Sequence, residues 1–247
     1  MSSPRFFVDT SLTTGTDVRI EGNPAHHMAR VLRMRPGDHV RLFNGDGNEY
    51  TGHITHLDKR HVAVHIDTRE EVRRESPLHT TLGLVLSKGD RFDWALQKAT
   101  ELGVSAIQPL TSQRCEVRLS PERLEKKMPH WQQVLISACE QCGRNQVPVL
   151  HPVQSLGSWV NAISADRKLV LAPGMTGSPL DGPVPHSAAL LIGPEGGLSD
   201  SEIQQARGEG FEPVTFGPRI WRTETAPVAA LAILQWQWGD FRPRQGE

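Results

Sequence analysis

The sequence lacks the features of a secreted, membrane-spanning or strongly charged protein. No apolar run approaches the ~20 residues that a membrane-spanning helix needs, and the N-terminus has no apolar signal-peptide core. Lys and Arg total 27 against 28 Asp and Glu, so the formal net charge of -1 gives no global attraction to nucleic acid or lipid. We therefore expect a soluble cytoplasmic protein whose basic surfaces, if any, are local.

Cysteine is scarce as well, with three residues in 247. The odd number and the missing signal peptide argue against a disulfide framework. Cys139 and Cys142 have the C-x-x-C spacing of zinc and redox sites, but no second pair follows and the segment has a helical pattern. We interpret them as helix residues. The eleven histidines look scattered and form no H-E-x-x-H motif, so we predict no metal.

Three common enzyme motifs are also missing. No G-x-G-x-x-G follows the first strand, no phosphate-binding G-x-x-x-x-G-K-[ST] occurs, and there is no G-x-S-x-G nucleophile elbow. These absences argue against a dinucleotide-binding fold, a P-loop NTPase and an α/β-hydrolase. At 247 residues the chain is long enough for one large domain or two smaller ones.

The most distinctive stretch is a glycine-rich turn between an apolar strand and a helix. Leu190–Ile192 has strand character, and Gly193-Pro194-Glu195-Gly196-Gly197 follows it. Ser199 and Glu202 then have the spacing of a capping box, which starts a helix. Loops at the end of a buried strand are where open α/β sheets hold ligands, so this turn is a candidate site. A tight turn without a ligand is the alternative.

A second stretch repeats this layout. The strand Val214–Phe216 runs into Gly217-Pro218, a polar segment follows, and Thr225 is expected to cap the last helix with Pro227 in its first turn. Two adjacent strands that end in such loops would face each other across one crevice.

The pattern of elements divides the chain in two. Short alternating strands separated by turns predict a small barrel-like module over residues 1–72. The charged segment Thr68–Pro77 has the composition of a linker. From residue 73 to residue 247, strands alternate with helices, which predicts a mostly parallel sheet covered on both faces. The predicted fold class is therefore α/β with a small N-terminal β domain.

Five ordered segments resemble one known family, the bacterial 16S ribosomal RNA uridine-N3 methyltransferases of the SPOUT superfamily. The resemblance is carried by Ile192–Ser199, Gly217–Ala226, Gln97–Gly103, Ala138–Arg144, and His27 with Val31–Arg33 and Gly37-Asp38. One departure is Trp221, where an aliphatic residue is expected. A glycine loop alone would be a weak signal, but five segments in order across both domains are specific.

The resemblance implies a PUA-like RNA-binding domain followed by a SPOUT methyltransferase domain with a deep trefoil knot. It also implies S-adenosylmethionine as cofactor, a homodimer, and 16S rRNA of the small ribosomal subunit as partner. The apolar last helix, with Leu231, Leu234 and Trp236, is consistent with a subunit contact. Burial within its own subunit is the alternative.

Methyl transfer to uridine N3 requires a positioned nucleophile and removal of the N3 proton. Arg222 is the candidate for stabilising charge on the uracil, and Glu195 or Glu224 for accepting the proton. Arg222 and Glu224 could instead pair with each other, and Glu195 could bind loop amides. The cofactor contacts expected from the resemblance are Leu171, Ala172, Ile192, Gly193, Pro194, Glu195, Gly196, Gly197, Phe216, Gly217, Ile220, Trp221, Arg222, Thr225 and Ala226. The glycines are expected to let the chain approach the adenosyl group.

RNA contact needs local positive charge. The candidates are His27, Arg30 and Arg33 in the small domain and Lys88, Arg114 and Arg144 in the large one; solvated charge is the alternative. Two other functions stay open. One is a SPOUT methyltransferase acting on a tRNA ribose or a guanine, and the other is a non-catalytic RNA-binding factor of ribosome assembly.

Overall fold

A computed structural model describes residues 3–58, 60–118, 120–172 and 180–242. The chain forms two units. One comprises the residues up to Glu75 together with Cys139–Val147, and the other comprises Ser76–Ala138 and the residues from Pro148 onward. No helix within the described residues is long and apolar enough to cross a membrane.

The first unit is a five-stranded mixed sheet with a short helix. The strands run in the order β1-β3-β4-β5-β2, and only the β1–β3 pair is parallel. Inward residues of the strands and of the helical segment, including Phe6, Met28, Leu42 and Ile54, form one apolar core. The elements are β1 Arg5–Phe7, β2 Asp17–Glu21, α1 Gly22–His26 with a π-helical turn His27–Val31, β3 His39–Phe43, β4 Asn48–Leu57 and β5 His61–Glu71.

The predicted linker over Thr68–Pro77 is wrong in its first half. Strand β5 continues to Glu71, pairing with β4 through Asn48↔Glu71 and Tyr50↔Arg69. Its composition looked like a linker because Arg69 and its neighbours are exposed, so the strand shows no apolar alternation. The strand extends this far because its backbone pairs with β4, and such pairing cannot be read from composition. The boundary at residue 72 therefore stays a prediction, and the structure divides the chain after Glu75.

Buried polar contacts attach Cys139–Val147 to the first unit. The Arg5 guanidinium donates to Glu49 Oε2 at 2.8 Å, to the Cys139 carbonyl at 2.8 Å and to Asn145 Oδ1 at 2.6 Å. Arg144 Nη2 donates to Glu75 Oε2 at 2.6 Å, and its side chain is only 7% exposed. Arg144 is therefore held in a buried ion pair within the unit, and we do not propose it as an RNA contact.

The second unit contains a seven-stranded sheet in which every pair is parallel, as the alternation of strands and helices predicts. Six strands run β12-β10-β11-β6-β7-β8, and β9 pairs with β7. The elements are β6 His79–Val85, α2 Arg91–Glu101, β7 Ala106–Thr111, α3 Pro121–Cys142, β8 Val149–Leu150, β9 Gln154–Ser155, α4 Leu156–Ala162, β10 Arg167–Leu171, β11 Ser187–Ile192, α5 Asp200–Gly208, β12 Glu212–Val214 and α6 Thr225–Gln237.

In this unit α5 starts with the cap that the sequence predicts, and α6 does not. Ser199 and Glu202 form the predicted capping box at α5, each side chain bonded to the other's backbone N–H. Helix α6 instead begins at Thr225, and its cap position is Glu224 in helical geometry without a capping side chain. Thr225 is therefore the first helical residue and not the cap that the sequence predicts.

Candidate functional site

A cavity of about 830 Å³ opens at the carboxyl ends of neighbouring parallel strands. Strands β10, β11 and β12 each contribute their last residues or the loop that follows, and Arg91 at the start of α2 completes the wall. Carboxyl ends of parallel strands meet at one edge of a sheet, where ligands bind in open α/β folds. The volume lies within the range of cavities that hold a ligand of cofactor size.

The two loops singled out from the sequence do line one cavity, but their strands are not adjacent. Strand β10 lies between β11 and β12. The loops therefore flank the end of β10, whose Leu171 and Ala172 form part of the wall. Thr215 Oγ1 donates to the Ala172 carbonyl at 2.7 Å and fixes the second loop at this point.

The glycine loop, Gly193–Ser199, owes its glycines to its own packing. A Cβ at Gly193 would lie 2.9 Å from Leu198 Cγ, which is closer than real Cβ atoms come. Gly197 has φ of +68°, a left-handed conformation that glycine adopts without strain. Its N–H donates to the Pro194 carbonyl at 2.8 Å and closes the turn. At these two positions the structure supplies an intramolecular reason for glycine, where the sequence suggested approach to a ligand.

Arg114 supports the same loop. Its Nη1 donates to the Gly196 carbonyl at 3.3 Å and to the Leu198 carbonyl at 3.2 Å. Sequence reasoning placed Arg114 among RNA contacts, and the structure gives its guanidinium a loop-stabilising role.

Of the residues expected to contact a cofactor, all except Thr225 line the cavity. Thr225 is exposed at the start of α6. The aromatic rings of Phe216 and Trp221 stack at 6.0 Å between centroids and 18° between planes. The unexpected Trp221 thus packs on a neighbour within the second loop and leaves the cavity wall continuous. Ile220 also lines the cavity and is 83% exposed.

The carboxylates of Glu195 and Glu224 both lie next to the guanidinium of Arg91. Glu195 Oε1 accepts hydrogen bonds from Arg91 Nη1 at 3.1 Å and from the Lys88 N–H at 3.3 Å. Glu224 Oε2 lies 3.9 Å from Arg91 Nε, within ion-pair range but too far for a hydrogen bond. That oxygen is buried and has no hydrogen-bond partner among the described residues. A buried, unsatisfied carboxylate oxygen is costly unless a ligand completes it.

Arg222 remains available for a ligand. Its side chain is exposed at the cavity, and no described residue forms a salt bridge or side-chain hydrogen bond with it. The alternative pairing of Arg222 with Glu224 is not among the ion pairs of the described residues, and Glu224 lies in ion-pair range of Arg91 instead. Arg91 is one of the lining residues that sequence reasoning did not assign to the site, as are Arg207 and Arg219. The charge of Arg91 at the start of a helix gave a signal only for a general basic surface.

The remaining RNA candidates lie at the surface. His27, Arg30 and Arg33 are exposed in and after the π-helical turn, and Val31 and Leu32 beside them are exposed as well. Arg33 has φ of +54°, the single non-glycine residue with positive φ among those described. Lys88 Nζ pairs with Glu116 at the surface.

The structure also shows the surroundings of the two C-x-x-C cysteines and of some of the histidines. Cys139 and Cys142 do occupy the last turn of α3, and burial raises the pKa of the Cys139 thiol to about 12. The histidines are less scattered than the sequence suggests. His56, Asp58 and His61 bring ligand atoms within 4.8 Å of one another at the β4–β5 hairpin.

Both units match known protein families. Residues 74–235 match the model described as an RNA methyltransferase domain, and residues 20–67 match the one described as an RNA methyltransferase PUA domain. A ribosomal RNA small subunit methyltransferase E of Buchnera aphidicola is 34% identical over 240 residues, covering 96% of this chain and 98% of that protein.

Two solved structures are similar over nearly the whole chain. One is a methyltransferase of Legionella pneumophila in complex with the bound cofactor SAM, with 40% identity and a TM-score of 0.93 over 98% of this chain and 100% of that one. The other is a ribosomal RNA small subunit methyltransferase E of Neisseria gonorrhoeae bound to S-adenosyl methionine, with 40% identity, a TM-score of 0.91 and the same coverage. These matches confirm the predicted fold class, and the trefoil knot stays a prediction.

Proposed function

The chain belongs to the RNA methyltransferase family, and we propose that it methylates N3 of a uridine in 16S ribosomal RNA with S-adenosylmethionine as donor. The observation that carries the proposal is the cavity at the strand ends, where an exposed arginine lies near a carboxylate with one buried oxygen that makes no hydrogen bond among the described residues. Relatives similar over nearly the full chain are named ribosomal RNA small subunit methyltransferase E or were solved with S-adenosylmethionine bound, which supports the cofactor and the rRNA substrate of the proposal.

The cavity fits the cofactor in size and chemistry. Leu171, Ile192 and Ala226 provide apolar wall, and the glycine loop offers backbone polar groups. A cavity of about 830 Å³ accommodates an adenosyl group together with an amino-acid tail. Leu171, Ile192 and the second loop would hold the adenosyl part, and the glycine loop would bind through its main chain.

When bound, the cofactor supplies an electrophilic methyl group carried on a sulfonium. The sulfur leaves as a thioether when N3 takes the methyl group. The chain has two tasks in this step. It must align the uracil with the methyl group, and it must manage the charge that appears when N3 loses its proton. Arg222 is suited to the second task, because its guanidinium faces the cavity without an intramolecular salt bridge among the described residues.

The N3 proton has two possible acceptors, and we propose Glu224. The Glu195 carboxylate already accepts two hydrogen bonds on Oε1, from Arg91 and from Lys88 N–H, and it holds the loop in place. Glu224 Oε2 accepts no hydrogen bond among the described residues, so it has a lone pair available for the proton. Glu195 then serves as a positioning residue.

The N-terminal unit is proposed to supply RNA affinity. Arg30, Arg33 and His27 form an exposed basic surface, with the exposed apolar residues Val31 and Leu32 among them. Such a surface contacts RNA backbone and unstacked bases. Lys88 is proposed to add a phosphate contact near the cavity.

We further propose a homodimer, a trefoil knot in the C-terminal unit and a cytoplasmic location, where ribosomal subunits are made. Leu231 and Leu234 are buried within their own subunit, so the alternative holds for them. The part of α6 that supports the dimer is Trp236, which is 52% exposed, with Ile233 half-buried in the same apolar helix. A monomeric mass by light scattering at micromolar concentration would contradict it.

Nucleoside mass spectrometry tests the proposed function. Small subunits purified from cells lacking the protein are incubated with it and labelled S-adenosylmethionine, and the rRNA is digested to nucleosides. We expect label in N3-methyluridine. Label on a guanine or a ribose oxygen would favour a methyltransferase of other specificity. Cofactor binding measured by calorimetry separates both enzymes from a non-catalytic assembly factor.

A further inference from the structure

A second cavity of about 600 Å³ shares part of its wall with the first. Arg91 and Glu224 line both cavities. The other lining residues belong to the loop after β6 and to the first turn of α2, and they are Lys88, Gly89, Asp90 and Trp94. The second cavity therefore differs from the first in composition, since no aliphatic side chain lines it and its wall carries two cations, two carboxylates and the Trp94 indole.

Trp94 is unusual among the six tryptophans of the chain. Its indole is 43% exposed, and among the described residues it has no ring partner, no cation over its face and no side-chain hydrogen bond. Each of the other five has such a contact, namely Trp131 with Asp93, Trp159 with Phe211, Trp221 with Phe216, Trp236 with Arg242 and Trp238 with Arg167. An exposed indole without a partner leaves a large stacking surface unused.

One cation of this cavity, Lys88, is only loosely engaged. Lys88 Nζ pairs with Glu116, and both side chains are more than 60% exposed. Surface ion pairs of this kind contribute little free energy, so Lys88 can exchange the carboxylate for a phosphate. Arg91 is 43% exposed and lies between the two cavities.

We propose that the second cavity holds the nucleotide to be methylated, with its base stacked on Trp94 and its phosphate at Lys88. This proposal rests on the proposed function and names the position of the RNA within it. Proteins take single-stranded bases by stacking them on aromatic rings beside positive charge. The stacked base would present its N3 edge to the wall that both cavities share, where Glu224 and Arg91 lie.

Trp94 and the wall that both cavities share would have different roles in binding the nucleotide. Stacking on an indole is tolerant of base identity, so Trp94 provides affinity and orientation. Base identity depends on hydrogen bonds to the edge of the base, and the shared wall offers Arg91 and Glu224 for them. Trp94 thus acts as a substrate-binding residue for the target nucleotide, separate from the basic surface of the N-terminal unit.

The test compares Trp94→Ala and Trp94→Phe with Phe241→Ala, whose ring is 41% exposed and lines neither cavity. The substrate is small ribosomal subunits from cells lacking the protein. We expect Trp94→Ala to raise KM for subunits about tenfold or more, with kcat reduced less. Trp94→Phe should stay within about threefold of wild type, since a phenyl ring also stacks. S-adenosylmethionine affinity should be unchanged in all three variants, which also shows that they are folded.

Two results would overturn the proposal. One is a KM for subunits in Trp94→Ala equal to that of wild type. The other is a changed mass in light scattering with unchanged RNA affinity, which would make the indole a contact between two copies of the chain. A wild-type protein that binds subunits but transfers no methyl group would contradict the proposed function instead. The Trp94 proposal is then decided by subunit affinity in the same variants, measured by filter binding.

Discussion

Arg91 Nη1 donates a hydrogen bond to Glu195 Oε1 at 3.1 Å and joins the start of α2 to the glycine loop across 104 positions of sequence. The same guanidinium lies 3.9 Å from Glu224 Oε2. One cation therefore faces both Glu195 and Glu224 while leaving one oxygen of Glu224 without a hydrogen bond. This arrangement gives Glu195 and Glu224 different roles.

Replacing Arg91 by alanine should lower methyl transfer about tenfold or more, because it releases the glycine loop and leaves two carboxylates without their shared cation. Steady-state kinetics on small subunits measure the effect. Lys98→Ala is the matched control on the same helix, since Lys98 pairs only with Glu101, at 2.7 Å, among the described residues. Equal activity of the two variants would show that Arg91 does not organise the site.

The glycine loop should respond to backbone strain at Gly197. Gly197→Ala puts a side chain at φ of +68° and should cost about 1 kcal/mol, together with a several-fold loss of S-adenosylmethionine affinity. Gly197→Val should have the larger effect. Gly208→Ala is the control, because Gly208 lies in α5 with open space around it and φ outside the left-handed region. Calorimetry measures affinity, and a loop outside the site would show no change.

The roles of Arg222 and Glu224 can be separated by charge and by pH. Arg222→Ala should lower kcat about a hundredfold while leaving RNA affinity largely intact, and Arg222→Lys should recover part of the loss. Glu224→Gln should lower the rate most near neutral pH. Its activity should recover as the pH rises, because the uridine then ionises without a protein base.

Glu195→Gln provides the comparison for that pH profile. It should reduce activity by a similar factor at every pH, since its proposed role is to hold the loop. A rising profile in Glu195→Gln together with a flat one in Glu224→Gln would reverse the assignment of the proton acceptor.

Arg33 offers a test that separates charge from backbone conformation. Arg33→Gly removes the cation but suits φ of +54° better, so it should stabilise the fold by up to about 1 kcal/mol while weakening RNA binding. Combined with Arg30→Ala, it should also flatten the salt dependence of RNA affinity. Cofactor binding should not change. RNA affinity equal to wild type at low salt would exclude this surface from RNA contact.

Glu140 should make stability depend on pH in the N-terminal unit. Burial raises the pKa of its carboxyl above the ordinary value of 4.5, against an opposing hydrogen bond from the Phe7 N–H. The folded state then holds the proton more tightly than the unfolded state. This contribution to stability is present below pH 4.5 and is lost as the pH rises through the folded pKa.

Glu140→Gln cannot ionise, so its unfolding free energy relative to wild type should increase from about pH 4 to about pH 7. Urea unfolding at the two pH values measures the difference. Glu125→Gln, on the exposed side of α3, is the control and should give the same difference at both. A constant difference for Glu140→Gln would contradict the prediction.

Features set by neighbouring residues were accessible from the sequence. The capping box of Ser199 and Glu202, the glycine loop after β11 and the parallel alternation of strands and helices all depend on local hydrogen bonding and periodicity. The ordered motifs identified the family, and thereby a fold class that periodicity alone would not have specified.

Features set by distant pairing were decided only by the tertiary structure. The insertion of β10 between β11 and β12, the continuation of β5 to Glu71 and the pairing of Arg144 with Glu75 join residues whose local patterns carry no signal of one another. The need for glycine at position 193 also arises from contact with Leu198 once the loop has folded. Charge and composition mark residues as polar, but the geometry of the folded chain determines which of them remain free for a ligand. Arg222 stays available in this way, while Arg144 is buried against its partner.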